Sequence, residues 1–398
     1  MKDQIKWVLN RMPKSDDQQL SIMALPNVAK ARFFHGSFPQ YSVTPLARLD
    51  GMARYLGLGG LYVKDESYRF GLNAFKVLGG SFAMARYIAS EMGRDVSEMT
   101  YDYLTSEAFR KEFGQATFFT ATDGNHGRGV AWTASRLGHQ SVVYMPKGSA
   151  QERLENIRRA GAKAQITDLN YDDAVRLANQ KAEENGWIMV QDTAWEGYED
   201  IPRWIMEGYL TLSLEAWEQL NGITPTHLFL QAGVGAFAGS AAGFFSCVPG
   251  TKPVITIVEP DKADCLYRTA RANDGKLHPV TGDMDSMMAG LCCGEPCTIG
   301  WEVLRRRADY FVSMSDDVAA LGMRILGNPL GSDPKIISGE SGAASMGFVT
   351  ALLTDKKLAN LKNAMGINEH SHILCVSTEG ATDRENYQKI LAKGPVEL

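Results

Sequence analysis

The chain has 398 residues, with 41 Lys+Arg against 46 Asp+Glu and a net charge of −5. That length suggests two or three domains, and surface scaling leaves about 15,000 Å² exposed on folding, so a large core needs neither disulfides nor metals. The mildly acidic balance argues against a general nucleic-acid binder, which needs a basic face, and no run of 18 apolar residues exists to span a membrane.

Met1–Trp7 alternates charged and apolar residues and lacks the core of a signal peptide. Ser97–Gly114 is polar and reads as a surface insertion. Ala116–Ala121 is a β-prone run, followed by the turn Thr122–Gly129 and a helix to about Leu137. Ser141–Met145 is the next strand, closed by Pro146. Ser149 and Glu152 then predict a capping box for a helix with Leu154 and Ile157 inside, ended by Gly161. Asn170 caps a helix through Glu184 that Gly186 stops. Strands follow at Trp187–Val190, His227–Gln231, Val254–Val258 and His372–Val376. Strands alternating with helices predict an α/β protein with mostly parallel sheets covered on both faces. The six cysteines, at 247, 265, 292, 293, 297 and 375, form no paired C-x-x-C framework, which points to a reducing cytosol.

Three segments carry chemistry. Gln231–Gly239 reads Q-A-G-V-G-A-F-A-G between a strand and an Ala/Gly-rich helix, so its backbone N–H groups can surround a phosphate at a helix start. Gly233, Gly235 and Ala238 also match G-x-G-x-x-A, with Glu259 20 residues after Gly239. That is the dinucleotide fingerprint, so this turn alone leaves nicotinamide binding open beside a single phosphate. Thr122–Gly129, T-D-G-N-H-G-R-G, is a second strand-to-helix turn for an anion, with Asp123 as a candidate helix cap; His126, with no partner motif, reads as a buried supporting group. Lys76 lies between Phe75 and Val77, before Gly79 and Gly80. An apolar wall would lower its pKa and free the amine for a Schiff base. A lysine, a phosphate turn and an anion turn on one scaffold make pyridoxal phosphate the cofactor they suit together.

At these residues the chain resembles the pyridoxal-phosphate enzymes of fold type II, the tryptophan-synthase-β and threonine-dehydratase group. Ala74-Phe75-Lys76 stands for S-x-K, Thr122–Gly129 for S-x-G-N-H-G-x-G, Gly233–Gly239 for the glycine turn, and Glu340–Ala343 for E-P-S-G-A. Long runs such as Tyr144–Arg153, Gln191–Tyr198, Val258–Cys265 and Ser377–Asp383 resemble the ammonia-lyases of that group that act on 2,3-diaminopropionate. The resemblance runs from about Thr44 to Asp383.

The resemblance implies two open parallel-sheet α/β domains with the cofactor between them, residues 1–87 and 191–398 forming the larger and 88–190 the smaller. Lys76 is the Schiff-base lysine and Asn125 meets the cofactor's phenolic oxygen. Gly233, Val234, Gly235, Ala236 and Gly239 hold the phosphate, Glu340 belongs to the cofactor set, and Ser377 or Thr378 faces the pyridine nitrogen. The implied reaction is α,β-elimination of D- and L-2,3-diaminopropionate to pyruvate and two ammonia. Lys76, Asp123 and Asp192 are the catalytic residues, and Thr122, Asp123, Gly124 and Asp192 the substrate contacts, with no metal. Asp123 stands where the dehydratases have Ser, and a carboxylate suits a cationic β-amino group better than a leaving hydroxyl. Asp192 reads equally as a helix N-cap before Trp195. Serine/threonine dehydration or D-serine deamination on the same fold, and a nicotinamide-dependent dehydrogenase using the Gly233 turn, remain as alternatives. The expected partner is a small amino acid, the expected assembly a homodimer and the expected location the cytoplasm. Cys265 and Cys293 are placed to meet near the site entrance, either as buried thiols or as a reversible disulfide.

Overall fold

A computed structural model of the chain describes residues 5–14, 22–122, 124–250 and 252–396. Its strands are β1 (Ile5–Leu9), β2 (Leu46–Arg48), β3 (Gly60–Asp65), β4 (Thr117–Ala121), β5 (Gln140–Met145), β6 (Lys163–Ile166), β7 (Ile188–Met189), β8 (His227–Gln231), β9 (Val254–Pro260), β10 (Tyr310–Met314) and β11 (His372–Ser377). They form a seven-stranded sheet in the order β1-β10-β9-β8-β11-β3-β2 and a four-stranded sheet in the order β6-β5-β4-β7. The inner strands β10, β9, β8, β11 and β3 run parallel, and the short edges β1 and β2 pair antiparallel. All pairs of the smaller sheet are parallel. Every residue of β3, β8 and β10 is buried, as parallel strands covered on both faces must be. The accessible surface is 15847 Å², close to the scaling expectation.

The helix Val77–Glu91 joins the two sheets' helical layers. It packs on the helices Asp200–Gln219 and Asn125–Arg136. Both crossings depend on glycine: a Cβ at Gly208 would lie 2.4 Å from the Leu78 carbonyl oxygen, and one at Gly129 2.7 Å from the Val77 Cα. The expected chain division at 87/88 falls inside this helix.

Three local expectations are corrected. Ser149 donates its hydroxyl to the Pro146 carbonyl at 2.8 Å, and the next helix, Gln151–Arg159, starts from Ala150 with no capping box. Residues 97–114 are not a loose insertion: Thr100 and Ser106 cap the short helices Tyr101–Leu104 and Glu107–Glu112, and Met99, Leu104 and Phe109 are fully buried. No helix begins near Trp195, so Asp192 is not an N-cap; the chain makes an isolated Trp195–Tyr198 bridge and turns helical only at Asp200.

Candidate active site

The C-terminal ends of β4, β7, β8 and β11 face one cavity of about 570 Å³, mouth included, lined among others by Lys76, Asn125, Asp192, Gly233–Ala238, Thr378 and Glu379. Ligands of parallel sheets bind at such strand ends. β8 ends at Gln231, whose amide nitrogen donates to the Val376 carbonyl and the Thr378 hydroxyl at 2.9 Å each, while its oxygen accepts from the Ser345 hydroxyl at 2.7 Å. This clamp ties the end of β8 to that of β11. Gly235 then takes φ +95°, and the helix Ala236–Cys247 starts with no acidic residue in its first turn. Backbone N–H groups at an uncharged helix start attract an anion.

Lys76 arrives on a shaped loop. Phe70 and Asn73 have φ of 50° and 60°. The Phe75 N–H donates to the Thr378 carbonyl at 3.1 Å, and the Gly380 N–H to the Asn73 carbonyl at 3.0 Å. The Lys76 ammonium then pairs with Asp192 inside the cavity. Asp192 is buried. Burial pushes its pKa up, but the Lys76 charge and hydrogen bond and nearby His126 pull it down to about 2. Asp192 is therefore a carboxylate beside the Lys76 ammonium. His126 is a supporting group: its Nε2 sits 2.7 Å from the Val190 carbonyl oxygen, and burial lowers its pKa.

The sequence reading missed Glu379. It is buried in the cavity wall, where its carboxylate accepts from the Asn125 amide at 2.5 Å, the Ser341 N–H at 3.1 Å and the Thr382 hydroxyl at 3.2 Å. Asn125 thus enters the site already oriented. Its only sequence signal was its place beside the two candidate hydroxyls.

Several predicted contacts are reassigned. Thr378 lines the cavity, whereas the Ser377 hydroxyl turns to Ser338 at 2.7 Å. Glu340 lines a neighbouring cavity and accepts from the Asn386 amide at 2.7 Å; Ser341, next in the chain, faces the cofactor side. A Cβ on Gly239 would meet the Gly300 carbonyl oxygen at 2.9 Å, so Gly239 serves helix packing rather than phosphate. The Thr122 hydroxyl accepts from the N–H groups of Gly124 and Gly127 at 3.0 and 3.1 Å and so shapes the turn that carries Asn125. Asp123 lies outside the described residues. Glu259 accepts from the N–H groups of Leu266 and Tyr267 at 2.9 and 2.6 Å and is fully buried; with both oxygens taken by a helix start, it cannot hold a ribose. Cys265 is a buried thiol in this structure, its Sγ 3.9 Å from the Gly233 carbonyl oxygen, and it is not bridged to Cys293. Among the described residues no cluster of three or more His, Cys, Asp or Glu could hold a metal.

These residues fit pyridoxal phosphate. The Gly233–Ala238 amides form an anion cradle, the Thr378 hydroxyl stands in the wall, and an amine and a carboxylate pair inside the cavity. Comparisons with known proteins agree. Residues 38–368 match the pyridoxal-phosphate dependent enzyme family. The chain is 50% identical to diaminopropionate ammonia-lyases of Salmonella typhimurium, over 91% of each chain, and of Escherichia coli, over 92% of this chain and 91% of that one. The holo crystal structure of the Escherichia coli ammonia-lyase superposes with a TM-score of 0.90 at 46% identity, covering 98% of this chain and 97% of the other. A second structure of that enzyme, in complex with an aminoacrylate-PLP azomethine reaction intermediate, gives 0.88 at 45% with the same coverage. Tomato threonine deaminase shares the fold alone, at 17% identity and a TM-score of 0.73. The chain belongs to the pyridoxal-phosphate dependent enzymes, on the branch that holds the diaminopropionate ammonia-lyases.

Proposed function

We propose that the protein is a pyridoxal-phosphate dependent ammonia-lyase that converts 2,3-diaminopropionate to pyruvate and two ammonia. The observation that carries this reading is the buried Lys76–Asp192 ion pair facing the Gly233–Ala238 cradle, in a chain half identical to enzymes of that name. Bound pyridoxal phosphate withdraws electrons from the substrate's Cα, which makes its proton removable and its β-substituent able to leave.

The chain's own groups do the rest. The Gly233–Ala238 amides hold the phosphate, Thr378 offers a neutral hydroxyl to the ring nitrogen, and Glu379 fixes Asn125. Lys76 Nζ would hold the cofactor, and its amine, once free, would take the Cα proton on its face. Asp192 is a carboxylate where a cationic amine is expected; it orients the β-ammonium of a substrate as it orients Lys76 now. Asp123 is the base for the opposite face, so that both enantiomers are processed. A buried carboxylate favours an ammonium leaving group over a neutral hydroxyl, which sets diaminopropionate above serine.

The deciding experiment is pyruvate release from D- and L-diaminopropionate beside D- and L-serine. Diaminopropionate turning over best on both hands supports the reading; faster serine turnover replaces it with the dehydratase. We also propose a two-lobed division, with residues 88–190 as the smaller lobe, a cytoplasmic location and a homodimer. The absence of a paired C-x-x-C framework supports the location, and light scattering tests the dimer.

A further inference from the structure

A second cavity of about 960 Å³, open to solvent, lies behind one wall of the cofactor cavity. Two chain segments form that wall and face both ways. Gly290, Leu291 and Cys293 line the cofactor side, while Asp285 and Cys292 line the other; Ser341 faces the cofactor and Glu340 the second cavity. The second cavity therefore lies next to the cofactor cavity, one wall away.

Its chemistry is selective. Four carboxyl groups (Asp283, Asp285, Glu340 and Asp383) and two cations, Lys147 and Arg153, line the cavity. Glu340 is 1% exposed, and its Oε1 accepts from Asn386, but its Oε2 has no hydrogen-bond partner. A buried carboxyl oxygen without a donor costs free energy that a ligand donor would recover. Carboxyl groups and cations lining one cavity match a molecule with an extra ammonium and one carboxylate.

We propose that this cavity is a vestibule that binds small diamino acids before they reach the cofactor, with Glu340 Oε2 accepting from an ammonium and Arg153 and Lys147 facing the carboxylate. The proposal rests on the diaminopropionate reading and extends it to selection at entry. A substrate lacking the second ammonium leaves Glu340 unpartnered. Burial and the neighbouring Glu379 charge hold Glu340 up at about 7, against the Asn386 hydrogen bond and Arg153, so an arriving ammonium drives off its proton.

The test uses holoenzyme reduced with borohydride, which locks the cofactor onto Lys76 and blocks turnover. Calorimetric titration with 2,3-diaminopropionate should show one bound equivalent, at least tenfold weaker with serine and weakened about 10–100-fold in Glu340→Gln, the usual worth of a charge-assisted hydrogen bond. At pH 7, titration of the reduced wild type in buffers of different ionisation enthalpy should show release of up to about half a proton per ligand; this reading needs no variant and decides the matter if Glu340→Gln does not fold. No binding to the reduced protein, equal affinity in Glu340→Gln, or binding without proton release overturns the vestibule. Absence of pyruvate from the unreduced enzyme would overturn the diaminopropionate reading instead.

Discussion

Lys76 and Asp192 define each other's charge. Against burial, the ammonium, with nearby His126, draws the carboxylate down to about 2. Lys76→Ala should therefore abolish the borohydride-reducible visible band and turnover, and let the Asp192 pKa rise. Absorbance and activity check the first, and an unchanged circular dichroism spectrum shows that the fold survives. Asp192→Asn keeps the shape and removes the charge that orients the amine, so kcat/KM for both enantiomers should fall by about 10²–10⁴-fold. Asp123→Asn should act on one hand: D-diaminopropionate turnover falls by about 10²–10⁴-fold and L-turnover less. Equal losses in a kinetic comparison would make Asp123 a binder of the β-ammonium in both enantiomers.

The elements that aim Lys76 are held by a buried ionic cluster. Arg69, in the turn Glu66–Gly71 after β3, donates to Glu66 and Glu215 at 2.8 Å, and Lys64 of β3 donates to Glu215 at 2.7 Å; all four side chains are fully buried. Glu215 lies on the helix Asp200–Gln219, so the cluster pins the loop leading to Lys76 against that helix. Arg69→Met leaves buried carboxylates without a counter-charge and should cost about 3–5 kcal/mol in urea unfolding. The loss of cofactor affinity should follow, since Phe70 and Asn73 hold left-handed backbone angles only with that support. Element boundaries were legible where a cap or a stop is a single residue, as with Asn170 and Gly186 around the helix Tyr171–Asn185. They were illegible at 97–114, where Met99, Leu104 and Phe109 are too sparse for a helical period and become core only by meeting other layers.

At the scale of the molecule, buried titratable groups set the acid limit of stability. Burial first, with nearby Arg69, lowers His35 from 6.5 to about 3. Glu215, despite burial, is drawn from 4.5 to about 2 by Arg69 and Lys64, and Asp192 stands at about 2. For all three the unfolded chain binds the proton first, so folded stability falls as pH drops towards each folded value, by about 1.4 kcal/mol per group per pH unit. The buried carboxyls raised by desolvation, such as Glu340 at about 7 and Asp172 at about 6, act oppositely and offset the histidine loss between pH 7 and about 4.5. Below 4.5 they have nothing more to give, because the unfolded carboxyls are protonated too. The urea midpoint should thus change little between pH 7 and 5 and fall steeply between about 4.5 and 2.5; a steady decline from pH 7 would show that Glu340 and Asp172 do not offset the buried histidines.

What the sequence by itself determined is local. The alternation of strands and helices, the two glycine-bearing turns after β4 and β8, and a lysine set between Phe75 and Val77 are statements about neighbours in the chain, and local sterics and capping impose them. The contacts that make a site are long-range: Lys76 meets Asp192 116 residues on, and Asn125 meets Glu379 254 residues on. Strand order within each sheet, and the packing of the two sheets' helices against one another, decided these by bringing the ends of β4, β7, β8 and β11 to one cavity. It chose Thr378 over Ser377, gave Glu379 its role, turned Glu340 to the second cavity and spent Gly239 on packing. A side chain's face at a strand end depends on what packs against it, and that partner is distant in sequence.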